Sequence, residues 1–162
     1  MTYTMRAAIF EHYGHPFHVA TISRPEPAPG EILVRIKASG INPLDLKIHE
    51  GAAAHARQPP PAILGLDMAG IVEALGPGVT EFKEGDEVYG MVGGVGGIQG
   101  TLAEFAAVDA DLLAPKPVNL SFREAAVLPL VVITAWEGLV DRMQVKPGQT
   151  LLVQGGGGGV GL

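Results

Sequence analysis

The chain has 162 residues, 47% of them hydrophobic, with 17 acidic against 11 basic side chains, a net charge of −6 and no cysteine. That apolar share excludes a disordered chain, and the acidic balance argues against a nucleic-acid partner, which needs a basic face. Without cysteine there is no disulfide framework, thiol nucleophile or cysteine-bearing zinc site, which fits a reducing, cytoplasmic compartment. The first ten residues show no signal-peptide pattern. The longest apolar run, residues 125–136, is too short to span a bilayer. Glycine (23) and proline (13) are in excess, and such residues go to turns, bulges or loops that hug a ligand.

Strand-like segments alternate with Gly/Pro punctuation over the first two thirds. Residues 7–10 lead to Gly14 and Pro16, and residues 17–22 to Pro25, Pro27, Pro29 and Gly30. Glu31–Ser39 alternates, with Ile32, Val34 and Ile36 on one face and Arg35 and Lys37 on the other. Residues 63–74 read as one bent or bulged strand, because Gly65 and Gly70 lie inside it. Residues 86–92 and 101–108 follow, separated by the glycine-rich tract 93–97. Many short strands with turns at near-regular spacing predict a barrel or sandwich.

From residue 121 the pattern turns helical. Ser121 and Glu124 form a capping box, and the helix it opens reaches about Leu128, where Pro129 breaks or kinks it. A second helical segment covers roughly residues 131–143. Residues 150–154 read as a short strand running into the glycine loop 155–161. There Gly156, Gly158 and Gly161 satisfy G-x-G-x-x-G, and Gly155, Gly158 and Gly161 satisfy G-x-x-G-x-x-G. After a strand this is the dinucleotide fingerprint: glycine lets the backbone approach a pyrophosphate, and the next helix supplies N–H donors and a positive dipole end. No Gly-Lys-Ser/Thr follows, which excludes a triphosphate P-loop. That next helix, and the residue that would choose NAD or NADP, are not in the sequence. The chain therefore reads as a piece of a longer protein or as ending in an unstructured glycine tail. His12, His15 and His18 recur every three residues across a Gly14/Pro16 turn, with no helix to align them, so no metal site is expected there. His49 and His55 are expected at the surface.

Marks spread along the whole chain identify a family. They include Met5-Arg6-Ala7-Ala8, Pro29-Gly30-Glu31-Ile32, Ser39-Gly40-Ile41-Asn42-Pro43-Leu44-Asp45, Leu64-Gly65-Leu66-Asp67-Met68-Ala69-Gly70, Gly85-Asp86-Glu87-Val88-Tyr89-Gly90, Thr101-Leu102-Ala103-Glu104-Phe105 and Thr134-Ala135-Trp136, ending in the glycine loop. In this order they resemble the zinc-lacking, quinone oxidoreductase-like branch of the medium-chain dehydrogenase/reductase superfamily. The resemblance implies a mainly β fold with helices: a GroES-like, barrel-type catalytic domain over residues 1–125. Residues 126–162 would then be connecting helices and the first strand and glycine loop of a Rossmann domain. Zinc-dependent members carry a Cys at the position of Asn42, a His-Glu pair at Leu66-Asp67, and a four-cysteine lobe after the region of Tyr89. This sequence has none of them, so no bound metal is expected.

The resemblance also implies hydride transfer from NADPH, with NADH possible, to a quinone, enone or other small conjugated carbonyl, in a homodimer. Without zinc, hydrogen-bond donors must orient the acceptor and stabilise its developing charge. Asn42 is the main candidate, for catalysis and for cofactor contact, unless it only caps the turn before Pro43. Asp45 relays a proton, holds Lys47 or caps the short helix after Pro43. Thr134 contacts the cofactor or bonds back to its own helix. Gly155, Gly156, Gly158, Gly159, Val160 and Gly161 would bind pyrophosphate. Residues 51–61 are expected to line the cleft as a specificity element. Two other readings stay open: a zinc-type alcohol dehydrogenase with atypical ligands, and a non-catalytic GroES-like module.

Overall fold

The computed structural model describes residues 3–162. Along the chain come β1 (Thr4–Phe10), β2 (His18–Ser23), β3 (Glu31–Ser39), α1 (Pro43–His49), β4 (Ala62–Ile63) and β5 (Asp67–Leu75). Then follow β6 (Glu87–Met91), β7 (Phe105–Asp109), β8 (Ala114–Pro115), α2 (Phe122–Ala125) and α3 (Pro129–Trp136). A π-helical turn, Glu137–Arg142, continues α3. No helix among the described residues is long and apolar enough to cross a membrane.

The strands form two antiparallel sheets, ordered β2-β1-β4 and β7-β3-β5-β6-β8. Ile32 and Val34 of β3 are fully buried, and pack with Met68, Val72, Val88 and Val108 of neighbouring strands. A second cluster joins Phe10 to Ile48, Leu64 and Leu66. Segment 101–105 stitches the two sheets together. Leu102 accepts from the Ala8 N–H (2.8 Å) on the first sheet, and Glu104 accepts from the Ile36 N–H (2.9 Å) on the second. Closure of this kind satisfies edge groups that open sheets leave bare. It is the expected barrel-type architecture.

Three details differ from the sequence reading. Residues 63–74 are not one strand: the ladder stops after Ile63 and restarts at Asp67. Gly65 causes the break, with φ +101° and its Cα against the Thr101 side chain, where no Cβ fits. The expected strand 101–108 narrows to β7, because residues 101–104 serve both sheets rather than one ladder. Residues 150–154 form no strand, and Leu152 is 85% exposed. A parallel-type strand needs neighbours along both edges, and no described residue pairs with it.

The helical signals hold, but α2 ends at Ala125 rather than near Leu128, and the second helix starts at Pro129. The Ser121 N–H donates to Glu124 Oε2 (2.8 Å), and the Glu124 N–H donates to Ser121 Oγ (3.3 Å). Pro129 stands at the first turn of α3, where its missing N–H costs nothing. Ala125 and Ala126 pack on Ala69 of β5 and so dock the helices on the large sheet.

Candidate functional site

Three chain segments converge at the end of β3. Gly40 bonds the Asp67 carbonyl (3.0 Å), and the Ala126 carbonyl lies where its Cβ would be. Only glycine lets the chain pass this close under the end of α2. Asn42 then adopts extended backbone (φ −115°, ψ 155°) and starts α1. Its N–H donates to Asp45 Oδ2 (2.7 Å), and its carbonyl accepts from the Asp45 N–H (3.0 Å). Asp45 therefore acts as the cap of α1. Among the described residues it makes no ion pair with Lys47.

Asn42 is the N-cap of α1, with Asp45 its partner in a capping box, and its side chain also reaches a second partner. Its Nδ2 donates to Asp67 Oδ2 (3.0 Å), and all three residues are buried: Asn42 and Asp45 are 6% exposed and Asp67 0%. Both Asp67 oxygens also accept from the Leu130 N–H, at 3.1 and 3.3 Å. Leu130 lies in the first turn of α3, where backbone donors lack helix partners and the dipole favours a negative group. The Asp67 carbonyl accepts from the Gly40 N–H and from the Ser39 and Thr101 hydroxyls, at 3.2 and 3.0 Å.

Two desolvated carboxyls thus share one site. Burial pushes Asp67 up to about 6, against the opposing pull of the Asn42 amide and the Leu130 N–H, with the Asp45 charge adding to the rise. Burial also raises Asp45, opposed by N–H donors that include Asn42 and Gly65. Asp45 Oδ1 is buried without a hydrogen-bond partner among the described residues.

Thr134 stands one turn after Leu130 and is exposed, its hydroxyl donating to the Leu130 carbonyl (2.7 Å). The loop 155–161 folds as consecutive turns, with Gly158 bonded to Gly155 (2.9 Å) and Gly161 to Gly158 (2.9 Å). It passes α3 so closely that a Cβ on Gly159 would meet Val131 Cγ1 at 3.0 Å. Gly155, Gly156, Gly158, Gly159 and Val160 are exposed, and Gly161 is half-buried. Among the described residues the N–H groups of Gly156, Gly157 and Gly159 donate to no backbone carbonyl. A loop of small residues with such donors suits a pyrophosphate.

Where the resemblance implies zinc ligands in other members, Leu66 offers no lone pair, and Asn42 or Asp67 alone does not supply the three or four ligands that zinc needs. At the other end, His12 and His15 have ring centroids 5.4 Å apart, while His18 faces Glu11 at 3.6 Å. No group of three or more His, Asp or Glu side chains placed to hold a metal occurs among the described residues.

His49 departs from expectation. It is half-buried, stacked on Phe17 (4.8 Å, 18°) and edge-on to Phe10, with Nε2 2.6 Å from the His15 carbonyl. It ties the end of α1 to the β1–β2 loop. His55 is exposed as expected. Loop 51–61 flanks a cavity of about 270 Å³ lined by Tyr13, Ile48, Ala53, Arg57 and Gln58. The residue that sequence reasoning passed over is Asp67, which was weighed only as a metal ligand. A carboxylate flanked by Leu66 and Met68 in an apolar stretch was the available signal, since a buried charge must find donors.

Residues 28–118 match the alcohol dehydrogenase GroES-like domain. The chain is 42% identical over 146 residues to a 2-methylene-furan-3-one reductase of Solanum lycopersicum, covering 88% of this chain and 37% of that protein. It is 40% identical over 164 residues to the chloroplastic NADPH-dependent alkenal/one oxidoreductase of Arabidopsis thaliana, covering 97% and 42%. It superposes on the crystal structure of an alcohol dehydrogenase superfamily protein from Novosphingobium aromaticivorans with a TM-score of 0.96 and 64% identity, over 98% of this chain and 48% of that one. The chain thus spans about two fifths of the curated relatives' length and half of the solved structure's. With its order of strands, its capped helices and its glycine loop, this chain belongs to the GroES-like domain family of the alcohol dehydrogenases, within the medium-chain dehydrogenase/reductase superfamily.

Proposed function

We propose that the full-length protein is an NADPH-dependent reductase of conjugated enones, and that this chain supplies its acceptor-side site and phosphate loop. Residues 1–125 form the catalytic domain in this reading, and residues 126–162 lead into the cofactor domain. One observation carries it: the buried Asn42–Asp67 pair sits on the first turn of α3, the same helix that the glycine loop touches. The relatives named above act on an alkenal/one and on a methylene-furanone, both conjugated carbonyls, and one is named NADPH-dependent.

When bound, NADPH would supply the hydride for an enone's beta carbon, and solvent the proton for its alpha carbon. The chain's own residues orient and polarise. Asn42 keeps one N–H for a ligand, since the other is held by Asp67. That N–H would meet charge developing on the acceptor oxygen. Gly156, Gly157 and Gly159 offer N–H donors to the pyrophosphate. Thr134 stands one turn further along the same helix, α3, its proton held by the Leu130 carbonyl and its hydroxyl oxygen left to accept. Leu66 and Asn42 do not suit zinc, so no step runs through a metal.

The test is the reduction of a simple enone and of a quinone, followed by loss of NADPH absorbance, with and without a chelator. Enone turnover that survives the chelator supports the reading. Turnover confined to quinones moves the substrate class, and one zinc per chain that activity requires overturns the metal-free reading. Failure of the full-length protein to perturb NADPH fluorescence would point instead to a non-catalytic module.

A further inference from the structure

We infer that Asp67 is a positioning residue, whose carboxylate orients the Asn42 amide for its ligand and locks that amide to the start of α3. The inference rests on the proposed function for the nature of the ligand, but its geometry is independent of it.

Asp67 cannot drift. Its carbonyl is held by Gly40, Ser39 and Thr101, and its side chain is fully buried. A carboxylate only accepts. Facing Asn42, it therefore selects one of the amide's two rotations: Nδ2 turned inward at 3.0 Å, and Oδ1 left to the Asp45 side of the capping box. The reverse rotation would set lone pairs against lone pairs. The same carboxylate takes the Leu130 N–H. One side chain thus fixes both which face of Asn42 is presented and its distance to the helix that carries Thr134. A group needed only to cap α3 would require one acceptor oxygen, and would not have to engage Asn42 at all. Loss of such orientation costs rate rather than fold, because a misplaced donor no longer meets the developing charge.

Asp67→Asn keeps the volume and reverses the polarity. Leu130 still needs an acceptor, so the new amide gives it oxygen and turns its N–H groups to Asn42, whose own oxygen must then face inward. In the full-length protein we expect kcat for an enone to fall about 10- to 100-fold, while the NADPH Kd from cofactor fluorescence moves by less than about threefold. A readout independent of turnover is the Asn42 side-chain amide by NMR. In the wild type one of its two protons should be shifted and protected from exchange, and Asp67→Asn should abolish that. Unchanged kcat in Asp67→Asn overturns the inference. So does a wild-type Asn42 amide with no protected proton, even if the variant fails to fold. A protein that neither binds NADPH nor reduces enones, yet keeps the protected proton, sinks the proposed function and leaves the positioning intact.

Discussion

Phe10 and Trp136 are both aromatic and both lie in regular elements, yet Phe10 is 0% exposed and Trp136 59%. Phe10 belongs to a body of antiparallel strands that closes on itself through residues 101–105. Trp136 belongs to a tract that leaves Val132, Ile133, Val140, Met143 and Leu152 uncovered. Antiparallel hairpins complete their own hydrogen bonds and core, whereas a helix with an apolar surface and a βα glycine loop depends on neighbours for both. The candidate site lies where the two regions meet. Asp67 of the body reaches Leu130 of the tract.

The comparison breaks first at Phe10. Its ring fills the space between Ile48, Leu64 and Leu66. Phe10→Ala should destabilise the chain by about 3–5 kcal/mol, through lost transfer energy and the cavity left behind. Chemical denaturation followed by circular dichroism measures this, and a cost below about 1 kcal/mol would mean that the small-sheet core is loose.

The next largest effect is one of pH, at the junction. Asp67 is raised to about 6 in the folded chain, above its ordinary value of 3.8. Between those values the folded state holds a proton that the unfolded state has released. Stability from this group is therefore fully present below about pH 4 and is lost as pH rises through about 6. The loss is on the order of 3 kcal/mol. Asp67→Asn should remove that slope, so that the variant gains on the wild type between pH 4 and pH 7. Parallel stability curves across this window would show that the carboxyl is not desolvated.

Much of the body was legible because its signals are local. The alternation in Glu31–Ser39 and the turn residues around it announce β3, and Ser121 with Glu124 announces α2. The split at Gly65 was not legible. A glycine inside an apolar run reads as a bulge, and only the contact with Thr101, 36 positions further along, makes it a break. His49 was misplaced at the surface for a similar reason: its stacking on Phe17 depends on where the β1–β2 loop folds back. Of the site, Asn42 and Asp45 could be named from their neighbours, but their partner Asp67 is 25 residues from Asn42 and meets it only in the fold. The strand at 150–154 failed for the opposite reason. Its residues carry β propensity, but no described residue supplies a ladder partner, and propensity alone does not hold a strand.

A smaller effect sharpens the boundary between the regions. Ser121→Ala removes the acceptor for the Glu124 N–H and should cost about 1 kcal/mol. The replacement Ser121→Asp, which can still accept, should recover most of it. Equal losses in the two variants would show that α2 is held by the packing of Ala125 and Ala126 on Ala69 rather than by its cap.

The smallest effect is expected at Trp136, and it tests the other half of the comparison. More than half of this side chain is in water, so Trp136→Ala in the 162-residue chain should change stability by no more than about 0.5 kcal/mol. The residue is also the only tryptophan, so its fluorescence reports on this tract alone. A red-shifted emission that acrylamide quenches readily is expected. A blue-shifted, protected emission would mean that the apolar surface of α3 is covered in solution. Trp136→Ala would then cost well over 0.5 kcal/mol, and the contrast with Phe10 would shrink accordingly.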